Sequence, residues 1–173
     1  VRIPGWASGA RVEINSESLP ASEAAGGQYA TMRRVWKVGD VVQVVLPMPV
    51  ERIVSHPRVL EKANRVALRR GPLFYCVEAA DHQIGDVRDF VLPDDVEIVA
   101  AMRPDLLGGV VVLTADAEME MAAPGWHGAL YRTADAAAKD QPGRSSSVTL
   151  TAIPYYAWAN RGTGPMTVWL RRG

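Results

Sequence analysis

A chain of 173 residues, 48% of them hydrophobic and 22% charged, can build one full core or two small β-domains, and its composition excludes disorder. Nineteen basic and nineteen acidic side chains cancel and are spread along the chain, so the long-range field that would attract nucleic acid is missing. The strongest apolar run, GVVVL at 109–113, is far shorter than the roughly 20 residues that cross a bilayer, which removes a membrane as a partner.

The chain opens at Val1 directly on Arg-Ile-Pro-Gly-Trp, without an initiator Met or a leader, as expected of a segment cut from something longer. Val12 and Ile14 alternate with Arg11 and Glu13, the pattern of a half-buried strand. Residues 29–36 read as a second strand by their β-branched and aromatic content. Residues 41–46 and 66–68 are richer in apolar side chains, as expected of strands covered on both faces or lying at a domain junction. Between them IVSHPR at 53–58 breaks the pattern with a proline. Residues 73–78, 96–101 and 110–113 follow as strands, then Val148, Leu150 and Ala152 alternating with Ser147, Thr149 and Thr151, then 166–170. Only residues 133–140 have a helical composition, and twelve prolines argue against long helices. Gly26-Gly27, Gly39-Asp40, Gly71-Pro72, Gly108-Gly109, Pro124-Gly125, Pro142-Gly143 and the 162–165 segment supply the turns. The reading is all-β: two jelly-roll-like β-sandwich domains in tandem, the first incomplete, spanning 1–57 and 58–173.

Side chains able to carry chemistry are few. Glu118 and Glu120 have the spacing that puts both on one strand face, where the 5 to 10 Å separation of a glycosidase pair could arise. With Met119 and Met121 on the opposite face, the simpler reading is a solvated edge. Glu78 and Asp81 close a strand and form no recognisable pair. His56, His82 and His127 lie far apart with no metal-ligand spacing, so no metal site is expected. Cys76 sits in an apolar strand, reads as a small buried hydrophobe, and cannot form an internal disulfide; it leans toward a cytoplasmic address without settling it. No Gly-x-Ser-x-Gly elbow surrounds Ser145, Ser146 and Ser147.

The aromatic residues carry two readings. In IPYYAWANRG at 153–162, Tyr155 and Ala157 would alternate with Tyr156 and Trp158 along a strand. On one reading Trp158 packs in the core or between domains, and Trp158→Ala costs roughly 3 to 5 kcal/mol. On the other, Trp126, Tyr156 and Trp158 are candidate carbohydrate-binding residues, since the C–H face of a sugar stacks on an aromatic ring.

Five motifs in order add a resemblance: RIPGWA from Arg2, RVWKVGD from Arg34, RVALRRGPLFY from Arg65, IPYYAWANRG from Ile153 and MTVW from Met166. Together they resemble, from end to end of the chain, the C-terminal part of glycoside hydrolase family 127, which includes β-L-arabinofuranosidases. The resemblance implies an α/α barrel preceding these β-domains, with a cysteine nucleophile, a zinc ion bound by cysteines and a glutamate, and an assisting acidic residue. It implies release of L-arabinofuranose with retention, through a covalent intermediate on the thiolate. No catalytic residue carries over, because Cys76 has no second cysteine or glutamate beside it. The chain is then expected to be a non-catalytic scaffold, with the catalytic α/α barrel as partner, a possible homodimer contact, no cofactor of its own, and an exposed apolar patch on the first domain. A carbohydrate-binding module is the alternative, and a complete enzyme using Glu118 and Glu120 is a third reading.

Overall fold

The computed structural model describes residues 1–20, 23–82, 85–120, 129–138 and 145–173. Packing divides the chain into two compact units, Val1–Val50 with Arg70–Pro72, and Glu51–Arg69 with Leu73–Gly173. The architecture is all-β, with one short α-helix and a few single turns of 3₁₀ helix among the described residues. The division expected after residue 57 lies on the far side of the strand that crosses this point.

In the first unit β1 (Arg11–Ile14), β2 (Glu17–Ser18) and β3 (Val42–Val45) form one antiparallel sheet in the order β2-β1-β3. Val12 and Ile14 are buried, so the alternation read from the sequence is the alternation of the sheet. A two-residue loop joins β1 to β2, with Asn15 at φ 51° and Ser16 at φ 71°, both left-handed as a type I′ turn requires. Asn15 ties the loop to the approach to β3: its Oδ1 accepts from the Val41 N–H at 2.9 Å and its Nδ2 donates to Asp40 Oδ1 at 2.8 Å. Ile3, Ala7, Ala10, Val12, Ala24 and Ala30 make the small core. One expectation fails here. Residues 29–36 form no strand, only a bridge between Arg2 and Tyr29, because beyond Ala30 no neighbouring chain offers a ladder. Of the two settings expected for residues 41–46, cover on both faces is not observed, since Val41 and, in β3, Val42 are exposed.

The second unit is built from β4 (Val50–Val54), β5 (Arg65–Arg70), β6 (Leu73–Glu78), β7 (Phe90–Leu92), β8 (Val99–Arg103), β9 (Val110–Glu120), β10 (Ser145–Pro154), β11 (Met166–Thr167) and β12 (Trp169–Arg172). The path β11-β6-β10-β9-β7-β12-β5-β4, together with the β5–β6 pairing, makes a closed circuit of six strands. Within the circuit each strand has a neighbour on both sides, while β4, β8 and β11 hang from it with one partner each. Strand β10 changes partner along its length, pairing β9 up to Ala152 and then β6 through Ile153 and Pro154. Such switching strands turn the corners of packed β-layers. Ala152 and Ile153 are both buried at the switch, where both faces of the strand are covered. Val66, Leu68, Tyr75, Val77, Phe90, Leu92, Leu113, Leu150 and Leu170 are buried almost completely.

The details depart from the sequence reading in physical ways. The strand expected at 96–101 forms three residues later as β8, and 166–170 is interrupted at Val168, with β11 joining β6 and β12 joining β5 and β7. Strand β7 escaped notice because three residues before Pro93 carry no period. The helix α1 (Ala134–Ala138) lies within the expected 133–140. Met121, His127 and the turns at Pro124-Gly125 and Pro142-Gly143 lie outside the described residues.

Candidate functional site

Beyond β10 the chain does not continue as a strand. Tyr155–Ala157 make a turn of 3₁₀ helix capped by Trp158. In a 3₁₀ turn side chains three apart eclipse one another. Tyr155 and Trp158 therefore stack, with ring centroids 5.9 Å apart and planes inclined by 22°. Of this turn Ala157 alone is buried; Tyr155, Tyr156 and Trp158 are 46%, 65% and 41% exposed. This corrects the core reading of Trp158: a strand would have sent alternate aromatics inward, whereas the 3₁₀ period leaves all three outside. The cost of 3 to 5 kcal/mol attached to a core truncation does not apply to a ring this exposed. Trp126, the remaining aromatic candidate, lies outside the described residues.

A buried ionic knot fixes the turn. Ala159 is left-handed at φ 62°, a conformation that costs a non-glycine residue about 1 to 2 kcal/mol. Its N–H donates to Glu78 Oε1 at 2.8 Å, and Glu78, at the end of β6, is only 5% exposed. Arg161 closes the knot: Nη2 donates to Glu78 Oε2 and to Asp81 Oδ2, both at 2.6 Å, and Nη1 to Asp81 Oδ1 at 2.5 Å. The Asp81 hydrogen bonds, reinforced by Glu78 and opposed by desolvation, push the guanidinium above its already high range. Asn160 braces the same loop, its Nδ2 donating to Ala157 O at 3.0 Å. A cavity of about 340 Å³ lined by Glu78, Ala79, Arg161 and the 162–165 segment adjoins the knot. Sequence reasoning saw Glu78 and Asp81 only as a strand end, because their partner lies some 80 positions away in the chain.

Glu118 and Glu120 do share the outward face of β9, and both line an open cavity of about 490 Å³ with Asn64, Arg65, Arg171 and Arg172. Arg171 holds Glu120 and also Asp89, the latter at 3.0 Å. Half of the Glu120 side chain stands in solvent, paired with the Arg171 guanidinium.

The remaining candidates are held by their neighbours. His82 lies between two backbone groups, with Nδ1 2.9 Å from Glu78 O and Nε2 accepting from the Thr151 N–H at 3.0 Å. Since a carbonyl only accepts and an amide N–H only donates, the two contacts fit the tautomer that carries its proton on Nδ1. His56 Nδ1 accepts from the Arg58 N–H. Cys76 is buried, and burial, with the charge of Glu78 adding, pushes its thiol up to about 12. That is the reverse of the electropositive setting which activates a cysteine. Among the described residues no three His, Cys, Asp or Glu side chains come together as a metal site.

The first unit has a different surface. Tyr29, Val35, Trp36, Val38, Val41 and Val42 are exposed within fourteen positions, and Arg34 lies over the Trp36 ring at 5.4 Å. No described helix is long and apolar enough to cross a membrane.

These features define an all-β chain with buried cores, whose ionic and polar groups hold loops in place and which leaves several large aromatic and apolar side chains exposed. Residues 50–171 match the model of the glycoside hydrolase family 127 C-terminal domain, and residues 1–48 that of the β-L-arabinofuranosidase GH127 middle domain. The chain belongs to glycoside hydrolase family 127. It is 35% identical, over 99% of its length, to a non-reducing end β-L-arabinofuranosidase of Bifidobacterium longum subsp. longum, of which it covers 25%. The crystal structure of a GH127 β-L-arabinofuranosidase from Geobacillus stearothermophilus T6 matches 99% of the chain at 44% identity with a TM-score of 0.82, the chain covering 26% of it. A GH127 β-arabinofuranosidase matches 99% of the chain at 30% identity with a TM-score of 0.78, the chain covering 27% of it. The chain thus spans about a quarter of the length of these relatives.

Proposed function

We propose that this chain is the non-catalytic C-terminal accessory region of a family 127 glycoside hydrolase, a scaffold for a catalytic domain it does not contain. The observation that carries this reading is the pairing of two coverages: nearly all of the chain matches, and it accounts for only about a quarter of each relative. The whole enzyme would hydrolyse β-L-arabinofuranosides, with a cysteine nucleophile and a zinc ion on an α/α barrel. The residues here do not fit that zinc: the one cysteine is buried with a raised pKa, and no described cluster of ligands surrounds it. The barrel would be the partner, and the exposed apolar side chains of the first unit are the kind of surface that a domain interface covers. A homodimer contact is a second partner role, readable by sedimentation of the isolated chain.

Incubation of the purified chain with a chromogenic β-L-arabinofuranoside tests the central statement. Release equal to that of a heat-killed control is expected, and turnover above it would refute the accessory reading.

A further inference from the structure

We propose that the turn carrying Tyr155 and Trp158 is a stacking platform for a neutral oligosaccharide, with the adjoining loop supplying its hydrogen bonds. The inference goes beyond the accessory role and rests on it only for the choice of an arabinose-bearing probe.

Three observations converge on this loop. The two rings stack on each other with planes inclined by 22°, and each is about half exposed, so apolar ring surface remains open to a ligand. Axial C–H groups of a sugar ring pack on such a face, and aromatic rings supply large, rigid contact area. The rings are also positioned before any ligand arrives. Eclipsing across the 3₁₀ turn sets their stack, Asn160 braces the turn from within, and Ala159 is kept left-handed by Glu78. Strain maintained by a buried charge network is a mark of a site that must be pre-shaped, because rigidity removes the ordering cost of binding.

Polar groups adjoin the platform. Both hydrogen bonds of the Asn160 side chain run through Nδ2, which leaves Oδ1 able to accept from a hydroxyl. The cavity of about 340 Å³ over Glu78, Arg161, Gly162, Thr163 and Gly164 is large enough for one pentose ring and has Thr163 as its one hydroxyl-bearing lining residue. In this knot two carboxylates meet one guanidinium, an excess of one negative charge that disfavours an acidic ligand, and all four carboxylate oxygens already accept from Arg161 or the Ala159 N–H. The binding surface that remains is aromatic and hydrogen-bonding, which suits a neutral, hydroxyl-rich ligand.

The test is a titration of the chain with a linear arabino-oligosaccharide, followed by calorimetry and Trp fluorescence, with a cello-oligosaccharide as a second arm. Saturable binding is expected with Kd in the ~0.1 to 5 mM range typical of a small, shallow site. Trp158→Ala and Tyr155→Ala should each weaken it about tenfold or more, while Trp36→Ala, an exposed tryptophan of the first unit, should leave it unchanged. Far-UV circular dichroism and a melting temperature within a few degrees of the original confirm that the variants fold. Should Trp158→Ala fail that check, amide chemical-shift changes on titrating the unaltered chain take its place, and these must concentrate on residues 155–165. Binding of both sugars extends the platform to neutral oligosaccharides in general, and preference for the arabinose probe narrows it. Absence of saturable binding to either, or binding that Trp158→Ala does not weaken, overturns the proposal. Neither result bears on the accessory role, which the hydrolysis assay decides by itself.

Discussion

Replacing Arg161 by methionine tests whether the ionic knot anchors the loop after β10. The change keeps the bulk of the side chain and deletes its charge, leaving Glu78 and Asp81 facing each other with side chains only 7% and 14% exposed. Removing one partner of a buried pair costs roughly 3 to 5 kcal/mol, because the other charge stays buried without compensation. Two features place this case at the lower end. Glu78 retains the Ala159 N–H as a donor, and the buried Arg161 Nε, which has no hydrogen-bond partner, imposes a penalty of about 1 kcal/mol that the substitution relieves. The expected loss is therefore about 3 kcal/mol. At roughly 2 to 4 °C per kcal/mol for a chain of this size, the melting temperature should fall by about 6 to 12 °C. Thermal unfolding followed by circular dichroism reads this directly, and a double-mutant cycle with Glu78→Gln isolates the pair. The double variant should be more stable than the two single losses added together, by about 1 kcal/mol or more. A fall in melting temperature below about 2 °C with additive single effects would refute the reasoning, and with it the claim that buried charge fixes the loop.

Three further outcomes follow from other parts of the molecule. The Asp86 carboxyl is lowered to about 2, first by the Arg88 side chain and then by the Arg88 N–H. The folded state therefore favours its ionised form, giving stability that is present above the unfolded value near 3.9 and lost as pH falls through about 2. Asp86→Asn should lower the melting temperature at pH 7, the gap closing between about pH 4 and pH 2; a gap constant down to pH 2 contradicts this. Cys76, buried with its thiol at about 12, should not react with a disulfide reagent at pH 8 in the native protein and should react fully in guanidinium. Fast native-state labelling would show the strand open. Gly71 sits at φ 57°, where an added Cβ would lie 2.7 Å from Met48 Cε and 3.3 Å from Trp6 Cζ3. Gly71→Ala should cost about 1 to 3 kcal/mol in denaturant unfolding, and a loss below about 0.5 kcal/mol would mean that Met48 simply swings aside.

The strands that sequence reading located are those whose pattern is set by burial on one side. Val12 and Ile14 in β1, and Leu150 and Ala152 in β10, alternate with polar neighbours because one face of each strand meets a core. Residues 29–36 have equal β-propensity but no ladder to join, and propensity of this kind measures fit to a sheet that must already be there. Trp158 was legible as an aromatic candidate but not as an exposed one. A period of two and a period of three differ little over four residues, and Pro154, at φ −57° before the turn, is compatible with either. The knot of Glu78, Asp81 and Arg161 was beyond reach for another reason: its members meet only because β11 returns the chain beside the end of β6. The pairing of Glu118 with Glu120 on one face could be read from spacing alone, whereas the guanidinium that occupies Glu120 comes from β12, 51 positions away.

Strand β10 gives its first eight residues to one neighbour and its last two to another, so the same backbone serves as a rail for both sides of the circuit. Neither side can melt while the other stays intact, since detaching β10 from β9 drags on its attachment to β6. Heating should accordingly take the second unit apart in a single step, and a nick anywhere between Ser147 and Ile153 should release both halves at once.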